Sequence, residues 1–412
     1  MVLIGIEVLE MKKKILFVHH GVGVGGAPIS MIKTIKHLDA GKYDVEVLLL
    51  KNSNLTNLLE KENINYSIID HPFYKNFYQF YPHIVPSYFK WYQIFKIFIF
   101  SFWWVLSRYF FSKKILSKFD ADIIHLNSSV LSDFLYASSL KSKVVIHIRE
   151  PIASGYFGLR RAFFKNQIKK YSDQIIAISS DNKKRLGLID KTEVVYNFIE
   201  VDENRVNHIE SATRKVLYLG GVDEAKGFFT VVDSLKYLNN DIKIIFCGNY
   251  NTTIKQGMIN KIRLKLSPSQ QRVHKALSIL NSDNRVVIVG MINNVSEMLD
   301  ATDILISPFT KEHFARPIIE AFARGRTAIG SDVEGMDEII DHKIDGLIVK
   351  KDSAFELATS INFLINNPDL SSEMGERGRC KVIEKFSFKN VMQIEKIYDE
   401  LLSSNIKVDE KC

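Results

Sequence analysis

Short apolar strands alternate with helical stretches along this 412-residue chain, in two successive runs. The first run opens with Lys14-Ile-Leu-Phe-Val-His19, a glycine loop, and a helix with Met31, Ile32, Ile35 and Leu38 at helical spacing. The second opens with Lys215-Val-Leu-Tyr-Leu219, a loop through Gly220, Gly221, Lys226 and Gly227, and another helix. Such alternation favours parallel sheets covered by helices, because parallel strands need a crossover between them. The fold expected is α/β: two doubly wound Rossmann-like domains facing across a cleft. The length exceeds what one core serves. Residues 198–214 are polar and aperiodic and read as the linker. The domains are therefore expected at 1–205 and 206–385, with a terminal helix at 386–412 packing back towards the first.

Two carboxylates eight positions apart stand in the second run, in Glu312-His-Phe-Ala-Arg-Pro-Ile-Ile-Glu320-Ala-Phe-Ala-Arg-Gly325. Glu312 follows a strand end at Ser307. Pro317 suits a first helical turn, and Gly325 suits a stop. Glu320 then lies about two turns inside a helix whose N-terminal N–H groups favour an anion. A carboxylate so placed can accept two hydrogen bonds from a diol such as a ribose.

This segment resembles the Glu-x7-Glu signature of the retaining glycosyltransferases of family 4 (glycosyl transferases group 1, GT-B fold). Glu312, Phe314, Pro317, Glu320, Ala321, Ala323 and Gly325 fall in register; His313 and Ala315 stand where glycines are usual. The resemblance implies a retaining transfer of a sugar from a nucleotide sugar, UDP-linked rather than GDP-linked, to a glycan or lipid-linked acceptor in cell-surface polysaccharide synthesis. It implies that Glu320 holds the donor ribose. Lys226, the backbone near Phe314 and Arg316, and Gly25 with Gly26 would hold the diphosphate, while Glu312 and His147 contact the transferred sugar. No cofactor or metal is expected, since no Asp-x-Asp stands at a strand end. Lys226 and Gly227 match the family's Lys-Gly, but its diphosphate arginine is Gly221 here. Arg316, or else Arg149, is expected to substitute. That departure keeps open a catalytically weak partner subunit of a transferase, and a UDP-sugar epimerase of the same fold is the other alternative.

The first glycine loop has Gly21, Gly23 and Gly26 at dinucleotide-binding spacing. The second strand, however, ends in Lys51-Asn52-Ser53 with no carboxylate for a ribose, which counts against NAD. Gly25, Gly26 and Ser30 instead resemble the family's first loop. Ala121-Asp-Ile-Ile-His125 and Lys143-Val-Val-Ile-His147-Ile-Arg149-Glu150-Pro151 resemble later family strands. Ile175–Ser179 and Val194–Asn197 resemble its last strands in this domain, with Phe198 in place of a glycine.

Charge is uneven: residues 1–200 hold 27 Lys+Arg against 17 Asp+Glu, and the remainder 28 against 30. A basic front half suits an acidic partner such as a diphosphate lipid or an anionic membrane; no nucleic acid is expected. Arg160 and Arg161, with Lys165, Lys169 and Lys170, line one helix and could meet acidic head groups or the acceptor, together with Arg149. Residues 88–111 are crowded with aromatics around the eleven charge-free residues Ile97 to Ser107. That is too short to span a bilayer but suits a helix in the membrane interface. Wound as a helix, it gathers Lys90, Lys96, Ser101, Arg108 and Ser112 on one side. Three scattered cysteines argue for a reducing compartment. The apolar start lacks a preceding basic residue and does not read as a signal peptide, and Met11 is an alternative start. A cytoplasmic protein, peripheral at the inner face of a membrane, is the expectation.

Overall fold

The computed structural model describes residues 11–21, 25–69, 71–77, 94–150, 152, 156–201, 214–250, 268–292, 294–312 and 314–403. The expectations that fall on residues 1–10, Gly23, Lys90, Trp91 and His313 lie outside them. Two compact units emerge: Met1–Phe198 with Phe388–Cys412, and Ile199–Ser387.

In the first unit the described residues form seven strands: β1 (Lys13–His19), β2 (Tyr43–Leu49), β3 (Tyr66–Ile68), β4 (Ile123–Leu126), β5 (Lys143–Ile148), β6 (Gln174–Ala177) and β7 (Thr192–Val194). They pair in parallel in the order β3-β2-β1-β4-β5-β6-β7. The apolar run of β1 is continuous because both faces are covered. Leu16 and Val18 face a core with Trp104, Phe134 and Ile168. Ile15 and Phe17 face another with Met31 and with Val391, Ile394 and Tyr398 of the terminal helix Asn390–Ser403.

The second unit holds β8 (Lys215–Tyr218), β9 (Lys243–Cys247), β10 (Val286–Gly290), β11 (Ile304–Ser307), β12 (Thr327–Ser331) and β13 (Gly346–Val349). These are parallel in the order β10-β9-β8-β11-β12-β13. Each sheet is therefore doubly wound and Rossmann-like. Strand order reverses between β1 and β4 and between β8 and β11. Ligands of such sheets bind beyond the carboxyl ends of the strands at that point.

The aromatic stretch forms a helix, Ile94–Leu106, continued by a wide turn at Ser107–Phe111 and a helix at Ser112–Leu116. Of the polar side expected there, Arg108 and Ser112 face inward while Ser101 is exposed. Ser107, Arg108 and Ser112 are buried, whereas Phe98, Phe102 and Phe110 are exposed. Arg108 is enclosed by the rings of Trp104, Tyr109, Tyr136 and Tyr171, 4.7–5.4 Å from its guanidinium carbon. Cation–π attraction and the Ser107 bond to Asp133 make that burial tolerable. Among the described residues no helix is long and apolar enough to cross a membrane.

Candidate functional site

In the second unit, the loop leaving β8 turns at Gly221, whose φ is +57° and whose N–H donates to the Cys247 carbonyl at 3.1 Å. A Cβ there would stand 2.7 Å from the Asn249 nitrogen and 2.9 Å from its oxygen. The glycine is thus built into the backbone approach between the β8 and β9 loops, and an arginine does not fit without moving them. The chain then makes one short turn, Glu224–Lys226, capped by Asp223, whose carboxylate accepts from the Ala225 N–H at 2.9 Å. Gly227 comes next with φ +79°, lying so close to the Pro308 carbonyl that a Cβ would overlap it. That contact seats the turn on the loop after β11. Thr310 completes the join: its N–H donates to the Ala225 carbonyl at 3.0 Å and its hydroxyl to the Glu224 carbonyl at 2.9 Å. Lys226 is half-buried, with no ion pair to it among the described residues.

The same loop leads through Glu312 into the helix Arg316–Ala323, with Pro317 in its first turn and Gly325 at φ +66° beyond its end. Glu320 is the fifth helical residue, a little over one turn in rather than two, because the helix starts only at Arg316. There Arg316 Nε donates to Glu320 Oε1 at 2.9 Å, an i,i+4 pair with both side chains 22% exposed. The two residues expected to bind diphosphate and ribose thus hold each other. The helix start offers fewer donors than the sequence suggests. The Arg316 N–H is bonded to the Phe314 carbonyl and that of Ile318 to the Ala315 carbonyl, both at 2.9 Å, and Pro317 has none. The bonded N–H groups of Arg316 and Ile318 leave side chains as the main donors at this helix start. A further cation that the sequence pattern does not single out stands at the same turn. Arg272, on the helix Pro268–Ser282, lies 3.6 Å from Glu224 and over the Phe229 ring at 3.9 Å.

In the first unit, helix Gly26–His37 starts after Gly25 without a side-chain cap, and a Cβ on Gly25 or Gly26 would meet nothing within 4 Å. The protein's own packing does not demand glycine at either place; what glycine leaves is open backbone. Beside it, at the carboxyl ends of β1, β4 and β5, lies a buried polar network. Arg149 donates from Nε to Asn127 Oδ1 and from Nη1 to Asn197 Oδ1, both at 2.9 Å. Asn197 also accepts from Ser30 at 2.6 Å. Arg149 is 9% exposed and works as an internal strut, which sets it apart from an arginine presented to an acceptor. Arg161 Nε donates to the Ile152 carbonyl at 3.3 Å, and Arg160 lies next to it on the helix Leu159–Tyr171.

His147 is 3% exposed. Its Nδ1 faces two donors, Arg149 Nη2 at 3.3 Å and His125 Nε2 at 3.4 Å. A nitrogen facing a guanidinium must be the acceptor, since guanidinium cannot accept. The proton therefore sits on His147 Nε2, which is buried and has no partner among the described residues. His125 in turn accepts at Nδ1 from Tyr398, 2.6 Å away on the terminal helix. His19 accepts at Nδ1 from Asn127 at 3.2 Å and likewise has a buried, unpartnered Nε2. Burial first, and then the charge of Arg149, push the pKa of His147 well below its usual value and that of His125 down to about 3. Burial alone brings His20 down to about 4. Burial, His20 and Arg149 push His19 well down as well. At neutral pH, His147 and His19 are neutral donors through Nε2, suited to a hydroxyl or other acceptor and unsuited to a proton-carrying role. Nothing around His147 in sequence signals this; it needs His125, Arg149 and Tyr398 brought together.

A cavity of about 590 Å³, lined by Lys14, Asp44, Glu46, Ser67 and Asp120, opens at the amino ends of β1, β2 and β4. That is the end of the sheet away from the glycine loop, so it is no part of this site. Among the described residues no three His, Cys, Asp or Glu are grouped to hold a metal ion.

The family model described as Glycosyltransferase Family 4 matches residues 24–203, and that described as Glycosyl transferases group 1 matches residues 201–381. An uncharacterized glycosyltransferase of Methanocaldococcus jannaschii is 25% identical over 312 residues, 72% of this chain and 81% of its own. The Campylobacter jejuni N,N'-diacetylbacillosaminyl-diphospho-undecaprenol alpha-1,3-N-acetylgalactosaminyltransferase is 20% identical over 73% of this chain and 82% of its own. Among solved structures, Anabaena HepE in complex with UDP-glucose superposes with a TM-score of 0.72 at 18% identity, over 94% of this chain and all of that one. The two family models together cover residues 24–381, most of both Rossmann-like units, and the chain belongs to the group 1 glycosyltransferases.

Proposed function

We propose that the protein transfers a sugar with retention from a nucleotide sugar, a UDP-sugar in preference to a GDP-sugar, to a glycan or lipid-linked acceptor. The observation that carries the donor site is the tie between the β8 and β11 loops. Thr310 bonds the Glu224 and Ala225 carbonyls just ahead of Lys226, so Lys226 and the Glu312–Glu320 segment share the switch point of one sheet. An ammonium and a carboxylate-bearing helix held there suit a diphosphate and a ribose. In this reading Lys226 steadies the leaving diphosphate, Glu320 takes the ribose, and Arg316 turns part of its guanidinium from Glu320 to phosphate. Fixed positive charge at a leaving group lowers a barrier without a metal, and none is invoked. In the second unit Glu312 contacts the transferred sugar, and in the first the Nε2–H of His147 offers a hydrogen bond to a sugar hydroxyl. The UDP preference leans on HepE, whose structure holds UDP-glucose, and the lipid-linked acceptor on the Campylobacter enzyme. The arginine-excluding backbone at Gly221 favours one other reading, a partner subunit that binds nucleotide but turns over poorly.

The test is thermal unfolding with UDP, GDP, UDP-N-acetylglucosamine, GDP-mannose and NAD, on wild type and Glu320→Ala. Ligand at 100 times its Kd stabilises by about 2.7 kcal/mol. A uridine-specific shift that shrinks in the variant is expected; a shift with NAD alone overturns the reading. Nucleotide binding without any transfer favours the partner subunit.

A further inference from the structure

Most of the large apolar side chains described on the aromatic helix and its continuation point outward, while Trp104 and the polar Ser107, Arg108 and Ser112 are buried. Phe98, Phe102, Val105, Tyr109 and Phe110 are 42–73% exposed, while Ser107 and Arg108 are buried. A second element extends that surface. Phe157 is 98% exposed and is held out on a left-handed residue with φ +51°, succeeded by Leu159 at 68% and Phe163 at 44%. The two elements are neighbours: Phe163 meets Trp104 edge-on at 5.3 Å, and Tyr136 links Tyr109 to Tyr171 at 5.3 and 5.5 Å.

The charge of these segments is one-sided. Residues 94–118 and 156–171 each carry five Lys or Arg and no Asp or Glu. Lys113, Lys114, Lys169 and Lys170 are exposed. Lys113 lies over the Tyr136 ring and Lys170 over the Tyr171 ring, at 4.9 and 5.2 Å, which puts cations from both elements on the shared aromatic seam. Exposed aromatics rimmed by lysines, with no acid among them, match a bilayer interface with anionic head groups. A protein partner of mixed charge would leave this one-sided pattern without purpose.

We propose that the helix Ile94–Leu106, its continuation to Leu116, and the Phe157–Phe163 segment form a docking surface for an anionic membrane. The aromatics enter the head-group region and the lysines meet lipid phosphates. The inference stands apart from the donor chemistry, and its test uses neither donor nor acceptor.

Full-length protein is sedimented with phosphatidylcholine vesicles, with or without 30% phosphatidylglycerol. Three proteins are compared: wild type, Phe102→Ser/Phe110→Ser/Phe157→Ser, and Lys113→Gln/Lys169→Gln/Lys170→Gln. Wild type is expected to bind the anionic vesicles and to weaken with added salt. The aromatic variant should lose at least about tenfold in affinity, and the lysine variant about fivefold per lysine. Trp104 is left alone, because it is buried and bonded to Ser132 at 3.3 Å. The melting temperature of the aromatic variant should match wild type. The proposal is overturned if wild type ignores anionic vesicles, binds neutral ones equally, or is matched by the aromatic variant. It also fails if that variant melts far lower, which would mean the chain itself covers the face, or if wild type is a dimer that the variant splits.

Discussion

Replacing Gly221 with arginine restores the residue that the family resemblance places there, in a backbone that has no room for it. At φ +57° a side-chain-bearing residue costs about 1–2 kcal/mol. The new Cβ would meet Asn249 backbone atoms at 2.7 and 2.9 Å, and backbone cannot rotate away as a side chain does. Relieving that contact costs roughly another 1–2 kcal/mol by analogy with overpacking. The total is about 3 kcal/mol in the unit Ile199–Ser387. For a domain of that size, each kcal/mol moves Tm by roughly 2–4 °C, so the transition should fall by roughly 6–12 °C. Differential scanning calorimetry reads this directly, and turnover assayed well below the transition should not exceed wild type. A Gly221→Arg protein that melts within a degree of wild type and turns over faster would refute the reasoning. It would show that the loop accommodates the side chain and that only the cation was missing.

Two more outcomes are expected. Lys226→Ala should lower turnover at saturating donor by about 100-fold or more, as for loss of a fixed transition-state charge, while Glu320→Gln acts mainly on donor KM; steady-state kinetics with equal, small effects on both would sink the site. Acid should weaken the first unit through its buried histidines. A histidine whose folded pKa is depressed contributes stability that is complete above its unfolded pKa of about 6.5 and is lost as pH falls below it. With His20 at about 4 and His125 at about 3, each contributes a loss of about 2 kcal/mol between pH 7 and 5. Urea melts at the two pH values check this, and a pH-independent midpoint for the first unit contradicts it.

Much of the architecture was legible because strand and helix periods are local. The apolar runs of β1, β4, β5, β8 and β11 are near-continuous where parallel strands are buried on both faces, and glycines mark both phosphate-type loops. The Glu312–Gly325 segment was legible too, since Pro317 and Gly325 bound a helix by backbone rules alone. The helix start was less so. Proline permits several registers, and the one adopted puts Glu320 a single turn in, against Arg316.

By itself, then, the sequence determined the two doubly wound sheets, the switch points and the residue types gathered at them. Tertiary structure alone decided their states. His147 becomes a neutral Nε2–H donor only because Arg149, His125 and Tyr398, distant in sequence, converge on it. Arg149 becomes a strut because Asn127 and Asn197 close on it. Gly221 excludes an arginine because the β9 loop backs onto it. Ser107 and Arg108, just past the aromatic helix, turn inward because Asp133 and a ring of tyrosines wait there. Periodicity tells which residues share a face; only packing tells which way that face turns and what charge it meets.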